Sequence, residues 1–204
     1  MIPNFEDGVI GVRRDANALA VVALTLGASN YDERAIAKGL LESSERLARA
    51  ANVNEVKSAF NDVVSARETK GSLEKLEQRK VAQLRSLMKY ALPSLSTDVK
   101  RLSRNEKTFA RGKNAAKVID DSTIIFAIAT GCRENVDETL APTEEKLWRE
   151  NCDRLAAAAL EFNRKANAFI EKKGSFDDLK DSFQAIDETC SSTCHAKFGG
   201  KNAD

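Results

Sequence analysis

Apolar positions recur every three or four residues along almost the whole chain, the period of α-helices that bury one face. Glycines, prolines and capping residues divide this pattern into eight helical segments. The first is expected over residues 7–27, with Leu19, Val22, Leu24 and Leu26 on a broad apolar face. The second covers 32–51, with Ile36, Leu40, Leu47 and Ala51 in register. Asn54 can cap a third, with Val56, Phe60, Val63 and Val64 facing inward. Ser72 opens a fourth with a stripe of Leu73, Leu76, Leu84, Leu87 and Ala91, which Pro93 ends. A short fifth starts at Ser96 or Thr97, carries Val99, Leu102 and Phe109, and closes at Gly112. The sixth runs over 114–131, with Val118, Ile124, Ile125 and Ile128 buried. Pro142 and Thr143 open the seventh and longest, which carries Leu147, Leu155, Ala159, Phe162, Ala166 and Phe169 to a stop at Gly174. The eighth starts at Ser175, which with Asp178 resembles a capping box. Its stripe is Phe176, Leu179, Phe183, Ile186, Cys190, Cys194 and Phe198. No segment alternates with period two, so the expected fold class is all-α, without a sheet.

A degenerate internal repeat sharpens this. Residues 15–27 line up with 119–131, and 54–60 with 177–183, so Arg67 falls opposite Cys190 and Gly71 opposite Cys194. The simplest division is two tandem antiparallel four-helix bundles, residues 1–94 and 95–204, the first without the thiols. A single longer bundle with extra helices is the competing architecture.

Composition then removes whole classes of function. Lys plus Arg number 32 and Asp plus Glu 31 in 204 residues, which gives no electrostatic case for nucleic acid. The longest apolar run, residues 18–28, contains Thr25 and Gly27 and is too short to span a bilayer, so no membrane span is expected. The start of the chain lacks the basic residues and long apolar centre of a secretory leader. Four cysteines do not suggest a disulfide framework, and a Cys132–Cys152 pair stays open.

The chemistry sits in the eighth segment, which reads Cys190-Ser191-Ser192-Thr193-Cys194-His195 and holds the only histidine. Two thiols followed at once by an imidazole suggest covalent haem: the thiols add to the two vinyl groups and the imidazole ligates iron. The usual spacing is C-x-x-C-H, one residue shorter. On a regular helix the extra residue rotates Cys194 and His195 by about 100° relative to Cys190. Reaching two fixed vinyl positions then calls for a bulge or an unwound turn. With one histidine, Ser–His–Asp or Cys–His catalysis would have to use His195 itself, so no enzyme is expected.

From Trp148 to Phe198 the chain resembles the cytochrome c′ family of four-helix c-type cytochromes. The likeness rests on an alanine-rich helix around 155–169, the Lys173-Gly174 link, and a last helix carrying Leu179-Lys180, Phe183, the Cys pair, His195 and Phe198. It implies one haem c, with Cys190 and Cys194 as thioether attachments and His195 as the single strong protein ligand. It also implies an apolar sixth position, for which Ile124, Ile125 and Ile128 are candidates. Electron transfer or binding of NO or CO would follow, with a redox partner, a possible homodimer, and a periplasmic or other extracytoplasmic location reached through a removed leader. A haem-free assembly or adaptor protein on degenerate bundles is the alternative. A zinc site from Cys190, Cys194, His195 and Cys152 has the right ligand types but not the separated ligand pairs.

Overall fold

The computed structural model describes residues 5–28, 34–68, 75–77, 79–82, 87, 91–134, 136 and 140–198, with side chains for all of these except 5–10, 191 and 195. Among the described residues every regular element is helical, in agreement with the all-α expectation.

The first half contains α1 (Phe5–Ala28), α2 (Arg34–Arg49) and α3 (Val53–Ala66). Ala20, Ala23 and Leu24 of α1 cluster with Leu40 and Leu41 of α2 and Ala66 of α3. Small residues bring these helices close together. A Cβ added at Gly39 would lie 3.2 Å from the Ala66 methyl. The cap of α3 is Asn52, two residues before the expected Asn54. Its side chain accepts the Glu55 N–H at 3.0 Å while Glu55 accepts the Ala51 N–H at 2.8 Å, a reciprocal arrangement that Asn54 has no glutamate to complete. Because α3 leans chiefly on α2, only the side bearing Ala59 and Ala66 is buried. Phe60 and Val64, expected inside, are 56% and 47% exposed.

The helix expected over residues 72–91 falls largely outside the described residues. The described stretches 75–77 and 79–82 within it are not helical, whereas Leu87 and Ala91 are π-helical. Leu76 donates its N–H to the Gly27 carbonyl at 2.9 Å, and its side chain fills the place a Cβ on Gly27 would need.

The second half contains α4 (Leu92–Leu102), the short α5 (Glu106–Phe109), α6 (Asn114–Cys132), α7 (Pro142–Ile170) and α8 (Phe176–Asp187). Pro93 opens α4 rather than ending a helix before it. In a first turn its missing N–H has no intrahelical partner to lose. A boundary between residues 94 and 95 therefore cuts α4. α4 packs on α6, α6 on α7, α7 on α8, and α8 returns to α4. They enclose Val99, Val118, Ile125, Ile128, Trp148, Leu155, Phe162, Leu179 and Ile186. Ile124 lies one step off this stripe and is 37% exposed, which corrects its expected burial. Lys117 bridges α6 to α4, with its ammonium 2.9 Å from buried Asp121 and 3.1 Å from Asp98. Phe109 of α5 closes one end of the core, edge-on to Phe169 at 5.6 Å.

The two halves meet where α1 crosses α6. Thr25 Oγ1 shares its proton between the Val21 carbonyl of its own helix at 2.9 Å and the Ala127 carbonyl at 3.1 Å, and a Cβ added at Gly131 would lie 2.3 Å from Val21 Cγ1 and 3.1 Å from the Val21 carbonyl oxygen. A side-chain rotation cannot clear the backbone oxygen. Gly131→Ala is therefore expected to destabilise the fold by about 1–3 kcal/mol, although alanine is the better helix former. A urea-unfolding midpoint equal to that of the parent would show slack between α1 and α6.

Candidate functional site

α8 starts as the sequence suggests. Ser175 Oγ accepts the Asp178 N–H at 3.1 Å and donates to the Asp178 carboxylate at 2.7 Å. The charged form of Asp178 is favoured by this bond, then by Lys165, so its pKa lies below the ordinary carboxylate value. The predicted stripe is the buried one: Leu179, Ile186, Cys194 and Phe198 lie in the core, with Phe176, Phe183 and Cys190 packed half-buried against it. Three aromatic pairs fix the antiparallel register of α7 against this last helix. Trp148 meets Phe198 at 5.4 Å, Phe162 meets Phe183 at 6.2 Å, and Phe169 meets Phe176 at 5.6 Å. Cys152 therefore stands near the level of Cys194, whose charge it would feel.

The backbone changes type at the motif. Glu188–His195 is π-helical, and Ala196–Phe198 returns to an α turn. The extra residue of C-x-x-x-C-H is thus absorbed in a wider turn. Cysteines three apart on an α-helix stop about 60° short of a full turn, whereas four apart they overshoot by about 40°. A turn with i→i+5 bonds holds about 4.4 residues, so four residues again stop short, by roughly 35°. The step from the first cysteine to the histidine behaves alike: four residues of α-helix overshoot by about 40° and five residues of π-helix by roughly 50°. The longer motif on a wide turn thus gives nearly the angular placement of the shorter motif on an ordinary one. The backbone of His195 closes this turn, and its side chain lies outside the described set.

All four cysteines are free thiols and none forms a disulfide. Cys132 ends α6, Cys152 lies on α7 and Cys194 on the π turn, all in one core. Burial pushes Cys190 up to about 12 and Cys194 up to about 11. Cys132 rises to about 12 by burial and then by Cys194, and Cys152 rises further by burial, then by Cys132 and Cys194. Such thiols are poor nucleophiles, because the thiolate is the reactive form. In the haem-free chain at pH 8, a disulfide reagent is therefore expected to react slowly with all four until the protein is unfolded. The folded thiols hold their protons more tightly than unfolded thiols near 8.5. Their contribution to stability is full below that pH and is lost as pH rises toward 11–12. Rapid native labelling at pH 8, or stability rising across that window, would contradict the burial of this cluster.

Asn151 is the feature the sequence reading missed. It stands on the core stripe of α7 between Trp148 and Cys152, fully buried, and neither its Nδ2 nor its Oδ1 has a hydrogen-bond partner among the described residues. Leaving such a group unpaired costs about 1–3 kcal/mol. The available signal was a polar residue where the stripe from Trp148 to Leu155 should be apolar. By contrast, the Trp148 indole is satisfied and donates to the Cys132 carbonyl at 2.8 Å.

In residue types the motif matches a covalently held haem, while Trp148, Cys194 and Phe198 pack the core beside it. The donor set is two thiols and an imidazole in one turn, with both sulfurs on or against the core. Among the described residues no three His, Cys, Asp or Glu side chains are placed to hold a metal ion, so Cys152, Cys190 and Cys194 do not form a zinc site by themselves. No helix among the described residues is long and apolar enough to cross a membrane. No family model, curated protein or solved structure matches the chain, so the site is read from its own residues.

Proposed function

We propose that the chain is a c-type haem protein that carries one haem near its C-terminus and serves electron transfer or the binding of NO or CO. The π turn over Glu188–His195 is the observation that carries this reading, since it gives an over-long motif the angular layout of a haem-attachment motif. Cys190 and Cys194 would tether the group through thioether bonds, and His195 would ligate iron. A haem held this way supplies one-electron exchange at iron and, with a single strong protein ligand, an open position for a small neutral gas. The chain's own part is to orient and to exclude water. Ile125, Ile128, Phe162 and Leu179 keep the second-half core apolar, which disfavours polar competitors at such a position. The architecture that goes with this reading is a pair of bundles, with α4, α6, α7 and α8 as the haem-bearing one and the first half without thiols. Thioether attachment in bacteria takes place outside the cytoplasm, so the proposed location is extracytoplasmic, with a redox protein as partner.

One observation favours a second reading, a haem-free assembly scaffold. The space beside the thiols is filled, with Trp148 1% exposed and edge-on to Phe198, and Cys194 3% exposed beside them. One experiment separates the two. Protein purified from its native source is extracted with acid-acetone and tested as the pyridine haemochrome. The haem reading expects colour that stays with the protein and two titratable thiols after unfolding, those of Cys132 and Cys152. Colourless protein with all four thiols free, or joined in pairs, leaves the scaffold.

A further inference from the structure

We propose that the cleft where α4, α5 and the start of α6 meet binds a compact phosphate-bearing anion. The cleft encloses about 520 Å³ and is lined by Arg101, Arg104, Arg111 and Lys113, with no acidic residue and no aromatic ring in its wall among the described residues. Arg104, Arg111 and Lys113 have no hydrogen-bond or ion-pair partner among the described residues, and of the four only Arg101 meets an acid, Asp98 at 2.9 Å. On other faces arginines meet carboxylates, as Arg46 meets Asp62 at 3.0 Å and Arg133 meets Asp153 at 3.1 Å. The balance of the whole chain conceals this concentration. Residues 100–117 contain seven lysines and arginines and one acid, a local +6, so the rest of the chain carries −5 against the total of +1.

The backbone around the cleft is braced before any ligand arrives. Asn105 Oδ1 accepts the Thr108 N–H at 2.9 Å, Asn114 Nδ2 donates to the Thr108 carbonyl at 2.7 Å, and Gly112 at φ 57° turns the chain between Arg111 and Lys113. Binding then orders side chains only, which lowers its entropic cost. A guanidinium presents paired N–H donors that match phosphate or carboxylate oxygens. Three unpartnered cations in one cleft call for several negative charges close together. A polyphosphate packs these into a few atoms, whereas a peptide spreads them over as many residues, and the wall offers no ring on which a nucleobase would stack. The volume lies within the range of small-molecule sites, about 300–1,000 Å³. The cleft is remote from the cysteine motif: α6 begins at Asn114 beside it and ends at Cys132, about 27 Å along a 19-residue helix. The anion therefore binds with or without haem.

The test is calorimetric titration of the full chain with sodium tripolyphosphate, at low salt and again at about 0.5 M salt, where exposed charges are largely screened. Saturable binding of one anion per chain is expected at low salt, at least tenfold weaker at high salt. Arg104→Gln and Arg111→Gln are each expected to weaken it about tenfold, as a charge-assisted hydrogen bond is lost. Lys107→Gln removes an exposed cation of the same segment outside the cleft wall and is expected to change affinity less than twofold. All three side chains are exposed, so the circular dichroism of the variants is expected to match the parent. Two arms separate the sources of phosphate. Binding to phosphoinositide vesicles that tripolyphosphate competes away would place the group on a lipid headgroup, and binding of tripolyphosphate without the vesicles would place it in solution. Absence of saturable binding at low salt would overturn the inference. So would equal weakening by Lys107→Gln, since overall charge and not the cleft would then be responsible. Tighter binding of an acidic peptide or a single-stranded oligonucleotide of the same charge would also overturn it and make the cleft part of a protein or nucleic-acid interface. None of these readouts depends on haem.

Discussion

Replacing Cys190 and Cys194 together by serine, in a host that exports the chain and attaches haem, is expected to abolish the colour retained after acid-acetone extraction. On the haem reading both thioether bonds would be lost, and an imidazole alone would not hold the group in that solvent. Deleting Ser192 is expected to have the opposite outcome. It shortens the motif to C-x-x-C-H, and three residues of ordinary α-helix place the second sulfur about 25° from where four residues of the π turn place it. The deletion chain should therefore keep its haem with at least the parent's yield, read as the haemochrome band and the intact mass. Retained haem in the double serine chain would show that it is not held by these thiols. Loss of haem on deletion from a haem-bearing parent would show that the wide turn is not the equivalent of the shorter motif.

Trp148→Ala is expected to give the largest loss of stability in the molecule, about 3–5 kcal/mol. The indole is 1% exposed, stacks edge-on with Phe198 and donates to the Cys132 carbonyl. Its removal leaves a hole between α6, α7 and the closing turn, together with a buried carbonyl short of a donor. Typical domains hold only about 5–15 kcal/mol, so the variant would stand near the edge of unfolding. Trp148→Phe separates the two contributions: most of the volume returns and only the hydrogen bond stays lost, for about 0.5–1.5 kcal/mol beyond the difference in ring size. Urea unfolding of the haem-free chains followed by circular dichroism makes the comparison, since Trp148 is the only tryptophan and its fluorescence disappears with it. A loss below about 1 kcal/mol for alanine would mean that the site collapses around the gap.

The closing helix was legible because its signals agree: the Ser175 cap, acidic first turn and seven-member stripe all point to one face, and that face is buried. The spacing of the cysteines calls for an unwound turn only if both hold one haem, and the backbone there is π-helical. What escaped depends on which neighbours arrive. Periodicity assigns Phe60 and Val64 to an apolar face of α3, but α3 has α2 chiefly on one side and leaves them in water. Ile124 belongs to an aliphatic run in which three isoleucines compete for two inward positions. Pro93 reads equally as a stop or as a first-turn residue until the backbone before it is placed. The contact of α1 with α6 through Gly131 leaves only a glycine in the sequence. Asn151 was legible as a polar residue on an apolar stripe, but whether it has a partner is a property of the folded core alone.

The wide turn also decides what becomes of the residues beyond it. One added residue in an otherwise regular helix spins everything downstream by about 100°, which would carry Phe198 away from Trp148 and leave the end of the core open to water. Here the helix regains its heading within the same turn, and Phe198 still seats against the indole. A change in motif length is thereby confined to the motif: the four-helix core has no need to know how many residues separate the two sulfurs.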